Sequence, residues 1–146
     1  MNENLFEPHR YEADTPEAVL QCAVAVACID GEFASDERER VRKVYADICR
    51  EMTYAYNAPD VSDEYAYIAE SIADVALAVV DQELKLEYID YRAELITDAD
   101  LQELTLIMSL RIAGADAELA GSESVALRHL ADSWEISLSD VLAPYV

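Results

Sequence analysis

The sequence predicts an all-α fold, a compact bundle of about seven helices with an internal pseudo-two-fold duplication of a helix–acidic turn–helix unit. Three observations carry that expectation. Apolar residues make up 53% of the 146 positions, while glycine and proline number three and four, a mix that suits packed helices better than turn-rich β structure. Apolar residues recur at helical spacing in successive blocks, most of them opened by a helix-start signal. One pattern also occurs twice. Ala27-Cys28-Ile29-Asp30-Gly31-Glu32, with Glu37 five residues on, returns as Ala113-Gly114-Ala115-Asp116-Ala117-Glu118 with Glu123. The offset is 86 throughout (116 − 30, 118 − 32 and 123 − 37). Apolar positions keep the same register, among them Leu20/Leu106, Val24/Leu110, Val26/Ile112, Phe33/Leu119, Val41/Leu127 and Val44/Leu130.

Residues 1–14 are polar and mixed and read as an N-terminal arm; residues 15–146 read as one domain, since no linker or low-complexity stretch divides them. Thr15-Pro16-Glu17 is a helix start, with Thr as N-cap, Pro at the first helical position and Glu in the first turn. The helix over 18–29 is apolar almost all round, Gln21 being the exception, and so is expected at the centre of the bundle. Gly31 is placed to end it in a left-handed conformation. The next helix starts at Ser35 with Asp36 and Glu37 in its first turn, and Val41, Val44, Tyr45, Ile48 and Met52 form its apolar stripe. Asn57-Ala58-Pro59-Asp60 signals a turn. Ser62-Asp63-Glu64 opens a third helix with the stripe Tyr65, Ile68, Ile72, Val75 and Val79. A break at Asp81-Gln82 leads to a fourth helix over 83–96, with Leu84, Tyr88, Tyr91 and Leu95 on one face. Thr97-Asp98 caps a helix over 99–113, the duplicate of the first, with Leu101, Leu104, Ile107, Met108 and Ile112 inward; Arg111 on it must reach water or a carboxylate. Gly121-Ser122-Glu123 opens the last long helix, which buries Val125, Leu127, Leu130 and Trp134, and a short final turn follows Ser137.

The formal charge is −21, and lysine is confined to Lys43 and Lys85. Such a chain repels phosphate backbones, so direct nucleic-acid binding is not expected; cations and basic protein surfaces are the natural partners. The arginine run Arg38–Arg42 reads as a solvated face paired with acids, or as a basic docking patch. Cys22, Cys28 and Cys49 form no Cys-x-x-Cys pair, and the first two lie in an apolar helix, which suits buried thiols in a reducing cytoplasm. The first ten residues do not read as a signal peptide. The longest apolar run, 22–29, is too short to span a bilayer.

In each repeated unit the first Asp sits at a helix end, the Glu two residues on lies in the turn, and the later Glu begins the next helix. Asp30, Glu32 and Glu37 therefore converge on one turn, and Asp116, Glu118 and Glu123 on the other. Crowded carboxylates repel, and a divalent cation relieves that; an all-oxygen set favours Ca²⁺, Mg²⁺ or Mn²⁺ over Zn²⁺. Neither His9 nor His129 lies in these turns, and the EF-hand spacing fails because the twelfth position from Asp30 is Val41. The same acids also suit helix starts with no metal at all. An enzyme is the weakest expectation. No Glu-x-x-His pair for a di-metal helical site and no glycine-rich phosphate loop is present, and no organic cofactor is expected. His129 aligns with Lys43 and reads as a surface or satisfied histidine.

The twice-occurring pattern Ala-x-x-Asp-(Gly/Ala)-Glu followed by Glu, in an acidic helical chain of this length, resembles the TerB-like tellurite-resistance family over about residues 16–135. The first copy fits closely; the second has Ala117 where the family usually has Gly. The resemblance implies a helical scaffold without catalysis of its own, whose two acidic motifs hold metal. It further implies a place in tellurite or other chemical stress response, or phage defence, in complexes at the inner face of the membrane. The expected function is thus a non-enzymatic, cytoplasmic scaffold of a stress system that binds a divalent cation and protein partners. The alternative is an acidic protein-interaction module or DNA mimic acting by surface charge without metal.

Overall fold

The computed structural model of the chain describes residues 10–29, 33, 35–51, 64–113 and 121–142. Among these, all regular structure is helical: α1 (Pro16–Ala27), α2 (Ser35–Glu51), α3 (Glu64–Ala78), α4 (Gln82–Ala93), α5 (Ala99–Ala113), α6 (Gly121–Ser133) and α7 (Leu138–Leu142).

α1 is the axis of the bundle and packs against α2, α3, α4, α5 and α6. Its start is as expected: the Thr15 side chain accepts the Ala18 N–H and Pro16 occupies the first turn. Every residue of it except Glu17 is buried, which is why its sequence shows little polar face. It ends two residues earlier than the apolar run suggests, at Ala27, with Cys28 and Ile29 in a turn. Gly31 lies outside the described residues.

α2 begins at Ser35, and its stripe Val41, Val44, Tyr45 and Ile48 is buried. Met52 lies outside the described residues. α3 closes at Ala78, and Asp81 caps α4 by accepting from the Glu83 and Leu84 N–H groups, so the interruption at 81–82 is a real helix boundary. α4 stops at Ala93, three residues short of the expected 96, and its inward face is Tyr88, Ile89, Arg92 and Ala93. The expected face of Leu84, Tyr88, Tyr91 and Leu95 is corrected: apart from Tyr88 its members are only half-buried. Tyr88, Ile89 and Ala93 supply the apolar burial of the observed face, and Arg92 goes in with them, its guanidinium over the Tyr88 and Tyr91 rings and near Gln21.

α5 spans the expected residues, and Asp98 is its cap through the Asp100 and Leu101 N–H groups. Its buried face is Thr105, Leu106, Met108, Ser109, Leu110 and Ile112. Leu101, Leu104 and Ile107 are only partly covered. Thr105 and Ser109 fit the core because each hydroxyl bonds the carbonyl four residues back (Leu101 and Thr105). On α6, Leu127 and Leu130 are buried with Ala126 and Ala131, but Val125 is 51% exposed, against expectation; alanines take the inward places beside the leucines. Trp134 is half-buried beyond the helix end.

The N-terminal side is tied down. Asp14 adopts φ 57°, donates its N–H to Leu95 O at 2.9 Å, and receives bonds from Thr97 and Asp98 at the start of α5. Arg10 pairs with Glu94 at 2.9 Å and lies 3.8 Å from the centroid of the Tyr91 ring.

Candidate functional site

Two regions carry candidate chemistry: the acidic turns after α1 and α5, and the cationic first half of α2.

Asp30, Glu32, Asp116 and Glu118 lie outside the described residues. Glu123 stands in the first turn of α6, its side chain outside what is described. Glu37 is in the first turn of α2 and is 7% exposed, at a helix end that favours negative charge. Among the described residues no group of three or more His, Cys, Asp or Glu is arranged to hold a metal ion.

The borders of the two turns are described, and they are cationic. At the exit of α1, Lys85 Nζ donates to Ile29 O at 3.1 Å. At residue 33, Arg38 donates to the Phe33 carbonyl, rests 4.8 Å from the Phe33 ring centroid, and pairs with Glu70 of α3 at 2.5 Å. At the exit of α5, Arg40 Nε donates to Ile112 O at 3.0 Å. The Ile29 carbonyl lies in the turn after α1 and the Ile112 carbonyl in the last turn of α5, where no intrahelical donor remains. The last bond also brings the end of α5 beside the first half of α2.

Further along, Asp47 of α2 receives Arg111 of α5 at 2.5 Å and Arg50 at 3.0 Å. Arg111 thus finds the carboxylate its place on a core helix requires. His129 Nε2 lies 2.7 Å from Asp90 Oδ1, joining α6 to α4. It is a satisfied histidine.

The feature that sequence reasoning missed is the Arg92–Gln21 pair. Both residues are 1% exposed, and Arg92 Nη1 approaches Gln21 Oε1 at 3.5 Å. The guanidinium carbon is 5.0 Å from the ring centroids of both Tyr88 and Tyr91, and burial pushes the Tyr88 hydroxyl up to about 12. The one polar residue on the face of α1 was the available signal. It needed a partner, and 71 positions separate it from the one it has.

All three cysteines are buried. Burial pushes the Cys22 thiol up to about 12, with the nearby Asp90 charge acting in the same sense and Arg92 opposing it. No described helix is long and apolar enough to cross a membrane. Comparison of the chain with protein-family models, with curated proteins and with solved structures finds no match in any of the three.

Proposed function

We propose that this chain is a non-enzymatic acidic scaffold that binds a divalent cation, Ca²⁺, Mg²⁺ or Mn²⁺, through its two Asp-x-Glu turns. Asp30, Glu32 and Glu37 are the donors of one turn and Asp116, Glu118 and Glu123 those of the other. The observation that carries this reading is the Arg40–Ile112 bond. It sets the exit of α5 against α2, whose first residue is only about 7.5 Å of helix rise from Arg40. Two acid-rich turns rooted that close together concentrate negative charge that a cation relieves.

The internal duplication belongs to the same proposal. α1 ends at Ala27 and α5 at Ala113, and α2 starts at Ser35 and α6 at Gly121; both differences (113 − 27 and 121 − 35) equal 86. Leu20, Val24, Val26, Val41 and Val44 are buried, and so are Leu106, Leu110, Ile112, Leu127 and Leu130 in the matching register. The resemblance to the TerB-like family supplies the setting: a cytoplasmic complex of a chemical-stress or phage-defence system, with protein partners at the inner membrane face.

A second reading has an observation of its own. Lys85, Arg38 and Arg40 already bring positive charge to the borders of both turns. Acids so served need no metal, and the chain is then an acidic interaction module or DNA mimic that works by surface charge. Calorimetric titration of chelator-stripped protein with each of the three cations, at near-physiological salt, separates the two. The metal reading expects saturable binding at low stoichiometry that disappears in the Asp30→Asn/Asp116→Asn double variant. Weak, non-saturating heat that is equal in both proteins overturns it in favour of the second.

A further inference from the structure

The described cations are almost all engaged. Arg10 holds Glu94, Arg38 holds Glu70, Arg50 and Arg111 hold Asp47, Lys85 and Arg40 hold helix-end carbonyls, and Arg92 is in the core. Arg42, Lys43 and Arg128 are the exceptions: all three are exposed and make no hydrogen bond or ion pair with a described residue. In a chain with 31 acidic residues, two adjacent cations without a carboxylate partner among the described residues are a departure from the pattern of the rest.

Arg42 and Lys43 share an open groove of about 600 Å³ between α2 and α3 with Arg38, Glu39, Ala46 and Tyr65. Tyr65 is half-buried, and its ring stacks on Tyr45 at a centroid distance of 6.4 Å and an interplanar angle of 29°. The groove therefore has a fixed aromatic wall, a small apolar step at Ala46, one carboxylate at Glu39 and, on its rim, two cations with no partner among the described residues. A second groove, between α2 and α5, lacks this character, because its cations Arg50 and Arg111 are both on Asp47.

We infer that the α2–α3 groove docks a short acidic segment of a partner protein, its carboxylates on Arg42 and Lys43 and an apolar side chain against Tyr65 and Ala46. Charge complementarity selects the occupant. A segment of five extended residues spans only about 16 Å, so when it is centred on the rim none of it lies more than one screening length away, about 8 Å at physiological salt. A nucleic acid would extend beyond it over a chain of charge −21 and be repelled. The inference is independent of whether the acidic turns bind metal.

The test is fluorescence anisotropy with a labelled Glu-Glu-Phe-Glu-Glu peptide against the whole chain at physiological salt, where the screening length is about 8 Å. Expected are saturable binding and a loss of roughly two- to thirtyfold in Arg42→Ala/Lys43→Ala, as two exposed charge pairs would give. Arg128→Ala, which removes the remaining exposed cation that has no partner among the described residues, is expected to bind as the parent does. Circular dichroism checks that each variant is folded. Absence of saturable binding, or equal loss in the Arg128 variant, overturns the proposal. Displacement by oligothymidylate as effective as by unlabelled peptide overturns the choice of occupant.

Discussion

Replacing Asp14 should separate a local hydrogen-bonded clamp from the general acidity of the chain. Its Oδ1 accepts the Thr97 N–H at 2.8 Å and the Asp98 N–H at 3.2 Å, and its Oδ2 accepts the Thr97 hydroxyl at 2.6 Å. Burial by itself would raise this carboxyl, but the bonds from Thr97 and Asp98 outweigh it and hold it below 3.8. Loss of a cap-like acceptor costs about 0.5–2 kcal/mol. Alanine adds roughly 1 kcal/mol because φ 57° is left-handed. Asp14→Ala is therefore expected to cost about 1.5–3 kcal/mol, Asp14→Gly less, and Asp14→Asn least, since asparagine tolerates that conformation and keeps one acceptor. At this chain length each kcal/mol is about 3 °C of Tm.

The sign of the pH dependence follows from the direction of the shift. A carboxyl whose folded pKa is depressed adds stability that is fully present above its unfolded value and is lost as pH falls through the folded one. The difference between parent and Asp14→Asn should hold constant from neutral pH to just above the ordinary carboxylate range, then shrink below it. Urea unfolding of both proteins from about pH 7 to pH 3, followed by circular dichroism, measures this, and taking the difference cancels the titration of the other acids. A difference that stays flat down to pH 3, or an Asp14→Ala variant as stable as the parent, would refute the clamp.

Arg92→Ala should cost about 3 kcal/mol, from a cavity and the loss of contact with two tyrosine rings, whereas Arg92→Met should cost under about 1.5 kcal/mol because a flexible apolar chain refills the space. Urea unfolding of the two variants checks the ordering, and equal losses would mean that the charge itself is essential. Cys22 is fully buried with its thiol pushed up to about 12, so it should resist a thiol-reactive disulfide reagent in native protein at about pH 8 and react at once in denaturant. Mass mapping of the labelled peptides reads this out, and rapid native labelling of Cys22 would contradict its burial.

What the sequence determined by itself was local. The cap at Thr15, the boundary at Asp81, the full span of α5 and the start of α2 depend on hydrogen bonds and spacing within a few residues, so the chemistry that sets them is written side by side. The central place of α1 followed from its composition, because a helix apolar on every side has only the interior to occupy. The sequence also marked the acids of the two turns as candidates, but whether Asp30 and Asp116 converge is a matter of tertiary placement. Only that placement decided the rest: that Gln21 meets Arg92, that Asp14 clamps the start of α5, that Arg40 reaches Ile112, and that Arg42 and Lys43 find no carboxylate among the described residues. Those contacts join residues 71, 83 and 72 positions apart for the first three pairs. Their existence depends on which helix faces meet, and helical periodicity fixes a face only relative to its own axis. The inward turn of α4 shows the limit most clearly. Its spacing pointed to Leu84, Tyr88, Tyr91 and Leu95, whereas the buried face is Tyr88, Ile89, Arg92 and Ala93, with the guanidinium beside two tyrosine rings and the one amide on the central helix.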